Sequence, residues 1–120
     1  MQNFKELKVW MKAHQFTLAV YETTKNFPKD EVYTLTAQLR RAAMSVASNI
    51  AEGCGKKSSA DFANFLNIAL GSANETEYLI MLAMDLKYLD ENRYEILSDQ
   101  INEIKAMLIN LINKVRSEKK

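Results

Sequence analysis

The sequence is poor in the residues that make turns, cross-links and membrane spans. Three glycines and one proline in 120 residues supply too little turn material for an all-β fold with many hairpins. A single cysteine, Cys54, excludes an intramolecular disulfide and fits a reducing compartment. The longest apolar run, Tyr78 to Met84, is far shorter than the roughly 20 residues of a membrane-spanning helix. Since the N-terminus shows no charged-then-apolar leader, we expect a cytoplasmic protein without membrane contact.

Side chains that perform chemistry are also scarce. The one histidine, His14, falls on an apolar seam without a second histidine, a paired cysteine or a spaced carboxylate, so we expect a partly buried residue rather than a metal ligand or general base. Cys54 follows a predicted helix C-terminus, where the dipole does not activate a thiol, so we expect a packed residue. Glu75 and Glu77 point to different faces of a helix and make no catalytic pair. No reaction can therefore be read from these residues, and we expect no metal or cofactor.

The net charge is only +1, but it is unevenly distributed. Residues 1–57 carry nine Lys or Arg against five Asp or Glu, while residues 58–89 carry one against four. A weakly basic N-terminal half could contact phosphates, although a dedicated nucleic-acid-binding domain is usually far more basic.

Apolar residues recur at helical spacing in four segments, which predicts an all-α protein with a single domain over residues 1–120. We place the helices at about 3–25, 31–52, 59–89 and 91–117. The predicted N-caps are Asn3, Asp30, Ser58 and Asp90, and either Gly53 or Gly55 would end the second helix in the left-handed conformation. Short connections between long helices favour an antiparallel up-down-up-down bundle.

The first and third helices have more apolar surface than such a bundle can bury. Helix one shows two seams, which are Phe4, Leu7, Met11, His14, Leu18 and Tyr21, and Val9, Ala13, Phe16 and Val20. The third helix is apolar nearly all round over residues 78–89, and Gly71 in its middle would be explained by a close helix–helix approach. We expect a homo-oligomer, because large unburied apolar surfaces usually mark partner sites.

Helix two separates a core stripe from a flat polar face. Val32, Leu35, Leu39, Ala42, Ala43, Val46 and Ile50 form the predicted core stripe. Arg41, Ser45, Ser48 and Glu52 align on the opposite face. Arg40, Arg41, Lys56 and Lys57 are the candidate nucleic-acid contacts. For the arginines a structural role is the alternative, such as a bidentate contact from Arg41 to Glu75 or to a neighbouring subunit. For the lysines the alternative is a solvated loop charge.

The segment from residue 27 to residue 75 carries a motif series that resembles a known family. Its first part is Phe27, Pro28, Glu31, Tyr33, Leu35, Gln38, Arg40, Arg41, Ala42, Ser45, Asn49, Ile50, Ala51, Glu52 and Gly53. Its second part is Phe62, Phe65, Leu66, Ile68, Ala69, Gly71, Ser72 and Glu75. Together they resemble the 23S rRNA intervening-sequence protein family of four-helix-bundle proteins, over about residues 4–111. Residues 54–57 read Cys-Gly-Lys-Lys where the family often has a Gly-Arg pair.

The resemblance implies a non-enzymatic four-helix bundle that assembles as a ring-like homo-oligomer, a pentamer, with a link to ribosomal RNA. The chain is similar also to accessory proteins of diversity-generating retroelements, which implies structured RNA or a nucleic-acid-processing protein as a partner. The alternative is a structural or protein-interaction scaffold without a nucleic-acid role. A third hypothesis is a composite enzyme site between subunits, formed by Arg41, Asn49, Glu52, Ser72 and Glu75. Arg41, Ser45, Asn49, Glu52, Ser72 and Glu75 are the candidate interface residues.

Overall fold

The computed structural model describes residues 2–118, which form an all-α fold without a strand in that range. The four α-helices there are α1 (Lys8–Thr24), α2 (Leu35–Cys54), α3 (Ser59–Asp85) and α4 (Glu91–Ser117). Two short 3-10 turns, Phe4–Glu6 and Lys29–Glu31, precede α1 and α2. The all-α prediction is confirmed, and the predicted bounds of the fourth helix agree with the structure. No helix in residues 2–118 combines the length and apolarity needed to cross a membrane.

The first helix begins later than the sequence predicts. Asn3 does act as a cap, but of the 3-10 turn, where its Oδ1 accepts from the Lys5 amide at 3.1 Å. Leu7 then takes an extended conformation (φ −80°, ψ 125°), so the α-helical hydrogen bonds start only at Lys8. The prediction of one continuous helix over 3–25 is therefore wrong at its N-terminal end.

The second helix also begins later, at Leu35 instead of residue 31. Asp30 does not cap it. The Glu31 carboxylate instead accepts from the Thr34 hydroxyl and from the Leu35 amide, the latter at 3.3 Å. These bonds satisfy a free donor of the first turn and hold Lys29–Glu31 as a separate 3-10 turn. Val32 consequently lies outside the helix and is 47% exposed, so its assignment to the core stripe is wrong.

The predictions of where α2 and α3 end are wrong as well. Helix α2 continues through Gly53 to Cys54, and its C-cap Gly55 has a right-handed φ of −84°, so neither glycine is left-handed. Helix α3 ends at Asp85 rather than Leu89, because Lys87 takes a left-handed conformation (φ 67°) that breaks the helical hydrogen bonds. The N-cap predictions for α3 and α4 are confirmed, since Ser58 Oγ and Asp90 Oδ1 accept from backbone amides three residues ahead.

The core selects one of the two seams of α1. Val9, Ala13, Phe16 and Val20 are buried, whereas Met11, His14, Leu18 and Tyr21 are exposed. The predicted stripes of α2 from Leu35 onward and most of α4 are buried as expected. In α3, Tyr78 and Met81 are 53% and 45% exposed, as expected for a helix with more apolar surface than the bundle can bury.

The close helix approach is made by Gly53 and not by Gly71. A methyl group on Gly53 would lie 2.9 Å from Phe65 Cβ and 3.1 Å from Phe62 Cδ1, so α2 packs directly onto the start of α3 there. A methyl group on Gly71 would meet no atom within 4 Å. The predicted role of Gly71 inside the chain is therefore wrong.

The helices contact one another in a closed order that defines four sides and two ends. Helix α1 contacts α2 and α4, and α3 contacts α2 and α4, so the α1/α2 side lies opposite the α3/α4 side. The described chain is elongated, measuring 50 × 23 × 20 Å. At one end the Gln2 amide donates to the Cys54 carbonyl at 3.1 Å. At the other end Tyr88 packs on Phe27, which brings together the α1–α2 and α3–α4 connections.

Candidate functional site

A ladder of polar side chains joins α2 to α3. The Ser45 and Ser72 hydroxyls are 2.9 Å apart and share a hydrogen bond, and Asn49 Nδ2 donates to both the carbonyl and the hydroxyl of Ser45. Two turns before Ser45 on α2, Gln38 Nε2 donates to Glu75 Oε2 at 3.3 Å. Because these donors and acceptors are satisfied by one another, the ladder fixes how the two helices pack.

Arg41 and Glu52 stand apart from this ladder on the outer face of α2. Both are exposed, so neither points into the bundle interior. Glu75 accepts from Gln38, and the bidentate Arg41–Glu75 contact suggested as an alternative does not form within the chain. Eleven residues separate Arg41 from Glu52, which is about 16 Å along a helix. The polar set proposed for a composite site therefore does not converge within one subunit.

Arg40 is held by the C-terminal end of α1. Its Nε donates to Thr24 Oγ1 at 2.8 Å and its Nη2 to the Tyr21 carbonyl at 3.3 Å. The guanidinium carbon also lies 4.6 Å from the centre of the Tyr21 ring. The terminal carbonyls of a helix lack intrahelical donors and carry partial negative charge, so this arginine both caps α1 and ties it to α2.

Lys56 and Lys57 lie at the opposite end of α2, where they line a cavity of about 420 Å³. Lys114 of α4 lines the same cavity, and Lys56 also lies 5.1 Å from the centre of the Phe65 ring. Arg40 is separated from Lys56 by 16 residues, or about 24 Å of helix. The four candidate nucleic-acid contacts therefore do not make one patch, and the two lysines belong to a different end from Arg40.

The basic end of the bundle is the end that carries this cavity. Its basic residues are Lys5, Lys8, Lys56, Lys57, Lys114 and Arg116. Four acidic residues lie among them, so the described part of this end has a net charge of +2. At the other end, residues 22–31 and 85–95 together with Arg40 carry five basic against seven acidic side chains, a net charge of −2. The bundle is therefore electrostatically polar along its long axis.

The sequence predicts a partly buried His14 and a packed Cys54, and the structure confirms only the second of these. Cys54 is buried, and burial raises the pKa of its thiol, as suits a packed residue. His14 is exposed rather than partly buried in the core, and its ring stacks on Trp10 with centres 5.1 Å apart. Within residues 2–118, no group of three His, Cys, Asp or Glu side chains is placed to hold a metal ion.

A groove between α1 and α2 is a concave and strongly apolar surface. We call it the α1/α2 groove; it measures about 460 Å³, and its main lining residues are Trp10, His14, Leu18, Tyr21, Met44 and Ala47. Leu18 is 57% exposed, although it lies in the middle of an α-helix. The second apolar seam of α1 was the sequence signal for this surface.

A second apolar surface lies on the opposite side of the bundle. We call it the α3/α4 face, and it consists of Gly71, Tyr78 and Met81 of α3 with Ile109 of α4. Gly71 and Ile109 also line a shallow groove of about 370 Å³ between these two helices. The sequence indicated that α3 was too apolar for a bundle surface but not which side would be exposed.

Most of the chain is similar to a known protein family. The family of the 23S rRNA-intervening sequence protein matches residues 5–110. The chain belongs to this family. A solved structure from Bacteroides thetaiotaomicron VPI-5482, described as a protein with unknown function from the S23 ribosomal protein family, is 33% identical. The similarity covers 88% of this chain and 95% of that one, with a TM-score of 0.82. No curated protein matches the chain.

Several residues that carry the resemblance to the 23S rRNA-intervening sequence protein family have packing roles in the structure. Glu31 Oε2 accepts from the Tyr88 hydroxyl at 2.8 Å, a contact 57 residues distant in sequence that no local pattern could indicate. Hydrogen bonds from Thr34 and Tyr88 lower the pKa of Glu31. The hydrogen bond that Tyr88 donates to Glu31 in turn raises the pKa of Tyr88. Tyr33, in contrast, is 91% exposed, although it is only two residues from Glu31.

Proposed function

We propose that this member of the family is a non-enzymatic cytoplasmic protein that self-assembles and associates with structured RNA. Each subunit is a single antiparallel up-down-up-down bundle over residues 1–120, and the assembly is a ring-like homo-oligomer, a pentamer. Support for self-assembly comes from the two apolar surfaces, since monomeric proteins seldom leave large apolar patches in water.

The charge polarity of the bundle carries the RNA part of the proposal. Six basic side chains gather at one end from three separate segments, while the opposite end is net negative. An RNA backbone would therefore approach by the basic end and be repelled from the other. The family's description refers to sequences that intervene in 23S rRNA, which makes ribosomal RNA the first candidate.

Assembly would strengthen a patch that is weak in one subunit. A net charge of +2 binds RNA poorly by itself, but a closed ring repeats the same patch in every subunit. Linked weak contacts act at high effective concentration, so their combined affinity can exceed a single contact by about 10²-fold or more.

An electrophoretic shift assay with a structured 23S rRNA fragment at several salt concentrations tests this proposal. We expect binding that weakens steeply as salt rises, because released counterions drive phosphate contacts. The double variant Lys56→Ala with Lys57→Ala should bind more weakly and with a smaller salt slope. Absence of binding, or binding insensitive to salt, would contradict the RNA role.

A matched double variant controls for loss of charge alone. Lys29→Ala with Arg93→Ala removes two exposed positive charges from the acidic end. We expect it to bind RNA as the unmodified protein does. Equal weakening by both double variants would mean that the basic end has no special role.

A purely structural scaffold is the second candidate function, favoured by the internal bonds of Arg40, Ser45, Asn49 and Ser72. Under it, Arg41→Ala or Glu52→Ala would dissociate the oligomer, because these exposed residues would serve subunit contacts. Light scattering that found both variants fully assembled would exclude the scaffold interpretation.

A further inference from the structure

The two apolar surfaces lie on opposite long sides of the bundle. The α1/α2 groove is concave and centred on Leu18, Tyr21 and Met44. On the α3/α4 face, Tyr78 and Met81 lie about one turn apart on the exposed side of one helix, and they are 53% and 45% exposed. Since the helices contact each other in closed order, no subunit can bring its own α3/α4 face to its own groove.

Gly71 gives an independent reason to expect another chain on the α3/α4 face. A glycine in a helix interior costs about 1 kcal/mol relative to alanine. Gly53 offsets this cost by admitting Phe62 and Phe65, but around Gly71 there is no atom of the described chain within 4 Å of a Cβ position. A helix from outside the chain that packed at this point would supply the missing reason.

Charge indicates which surface of a second copy fits. Helices α3 and α4 together carry four basic residues against eight acidic residues. Helices α1 and α2 together carry four basic residues against two acidic residues. Pairing unlike sides brings opposite charges together, whereas pairing like sides would repeat one sign across the contact, at a cost in free energy. The occupant favoured for the groove is therefore the α3/α4 face.

We propose that the α1/α2 groove of one copy receives the α3/α4 face of a second copy of this chain. The proposal rests on the self-assembly proposed above and adds which surfaces meet. Tyr78 and Met81 enter the groove beside Leu18 and Met44, and α1 packs across Gly71. Because the two surfaces differ, each subunit keeps one of each free, so the contact is head-to-tail, and it closes a ring when the rotation from each copy to the next adds up to a full turn.

The available surface is sufficient for such contacts. A stable interface takes about 800 Å² from each partner, and a head-to-tail subunit makes two of them. The described chain exposes 7229 Å², so the two contacts would cover roughly a fifth of it. They lie on the long sides of a body that measures 50 × 23 × 20 Å, which leaves both ends uncovered.

Mixing two complementary variants tests the proposal. Leu18→Glu places a charge in the groove and leaves the α3/α4 face intact, whereas Gly71→Arg blocks the α3/α4 face and leaves the groove intact. Light scattering after gel filtration should find each variant alone as a monomer of 13.7 kDa. Their equimolar mixture should form dimers of twice that mass, because it contains one intact groove and one intact face.

The control variant is Tyr33→Glu, which adds a charge at an exposed aromatic residue outside both surfaces. It should assemble as the unmodified protein does, and circular dichroism should find all three variants folded. An unmodified protein that is monomeric would overturn self-assembly and this pairing together. An assembled protein whose two variants give no dimers on mixing would overturn only the pairing, as would Gly71→Arg assembling normally.

Discussion

Gly53→Ala should destabilise the bundle even though alanine favours a helix. The added methyl group would lie 2.9 Å from Phe65 Cβ, an atom that moves only with the backbone of α3. It would also lie 3.1 Å from Phe62 Cδ1 and 3.4 Å from the Phe62 carbonyl oxygen. Neither helix can relieve these contacts by rotating a side chain alone, so α2 and α3 must separate.

Two opposing terms set the size of the effect. Overpacking by one methyl group typically costs about 1–3 kcal/mol. Replacing a helical glycine by alanine returns about 1 kcal/mol. The expected net loss in the free energy of unfolding is therefore about 1 kcal/mol, which lowers the melting temperature by roughly 4 °C for a chain of this size.

Urea denaturation followed by circular dichroism measures this loss, with the subunit concentration held constant because assembly stabilises the folded state. Gly55→Ala is the matched control, since its methyl group would meet only the Glu52 carbonyl oxygen at 3.4 Å. At a φ of −84°, alanine fits there without strain, so the control should gain about 0.4–1 kcal/mol. A Gly53→Ala variant as stable as this control would refute the close-packing argument.

Three further predictions concern contacts inside the bundle. Arg40→Met should lower stability by about 1–2 kcal/mol in thermal denaturation, since it removes the hydrogen bond to Thr24 and the aromatic contact; unchanged stability would contradict the capping role. Because folding lowers the pKa of Glu31, this side chain stabilises the fold at pH values above its pKa in the unfolded chain. The contribution is lost as the pH falls through the pKa of the folded state. Because folding raises the pKa of Tyr88, this side chain stabilises the fold at pH values below its pKa in the unfolded chain. That contribution is lost as the pH rises through the pKa of the folded state. When the urea midpoint is plotted against pH, Glu31→Gln should therefore reduce the loss of stability on both the acid and the alkaline side. An unchanged pH dependence would contradict the stabilising role of the hydrogen bond between Glu31 and Tyr88. Cys54 should react with a thiol reagent slowly in the native protein and fast in urea, and fast native reaction would contradict its burial.

Local patterns predicted the existence of the helices and the caps whose partners are close in sequence. Ser58 and Asp90 each bond an amide three residues ahead, so both caps could be found from the chain alone. The start of α2 could not, because its cap is Glu31, which is itself oriented by a tyrosine 57 residues away. Lys87 in the left-handed conformation has no sequence signal at all, since lysine rarely adopts it.

Spacing could not decide which apolar surfaces are buried. The two seams of α1 are similarly apolar, and the choice between them depends on neighbouring helices, which admit Ala13 and Phe16 and leave Leu18 outside. The same ambiguity assigned the close approach to Gly71 instead of Gly53, because a glycine reports only that space is needed, not on which side. For the candidate site, the basic residues were identified from the chain, but their division between two ends required the fold.

The arrangement of surfaces explains how one small bundle could combine assembly with RNA binding. Both apolar surfaces lie on long sides, and charge of a single net sign gathers at each end. Cyclic symmetry places equivalent atoms of every subunit at one level along the ring axis. In a head-to-tail ring built through the long sides, all basic ends therefore meet at the same rim and all acidic ends at the other. A bundle that paired like sides across a two-fold axis could instead turn half of its basic ends away. In the proposed ring, the head-to-tail contact would therefore bring the six basic side chains of each subunit together as one continuous positive rim suited to a phosphate backbone.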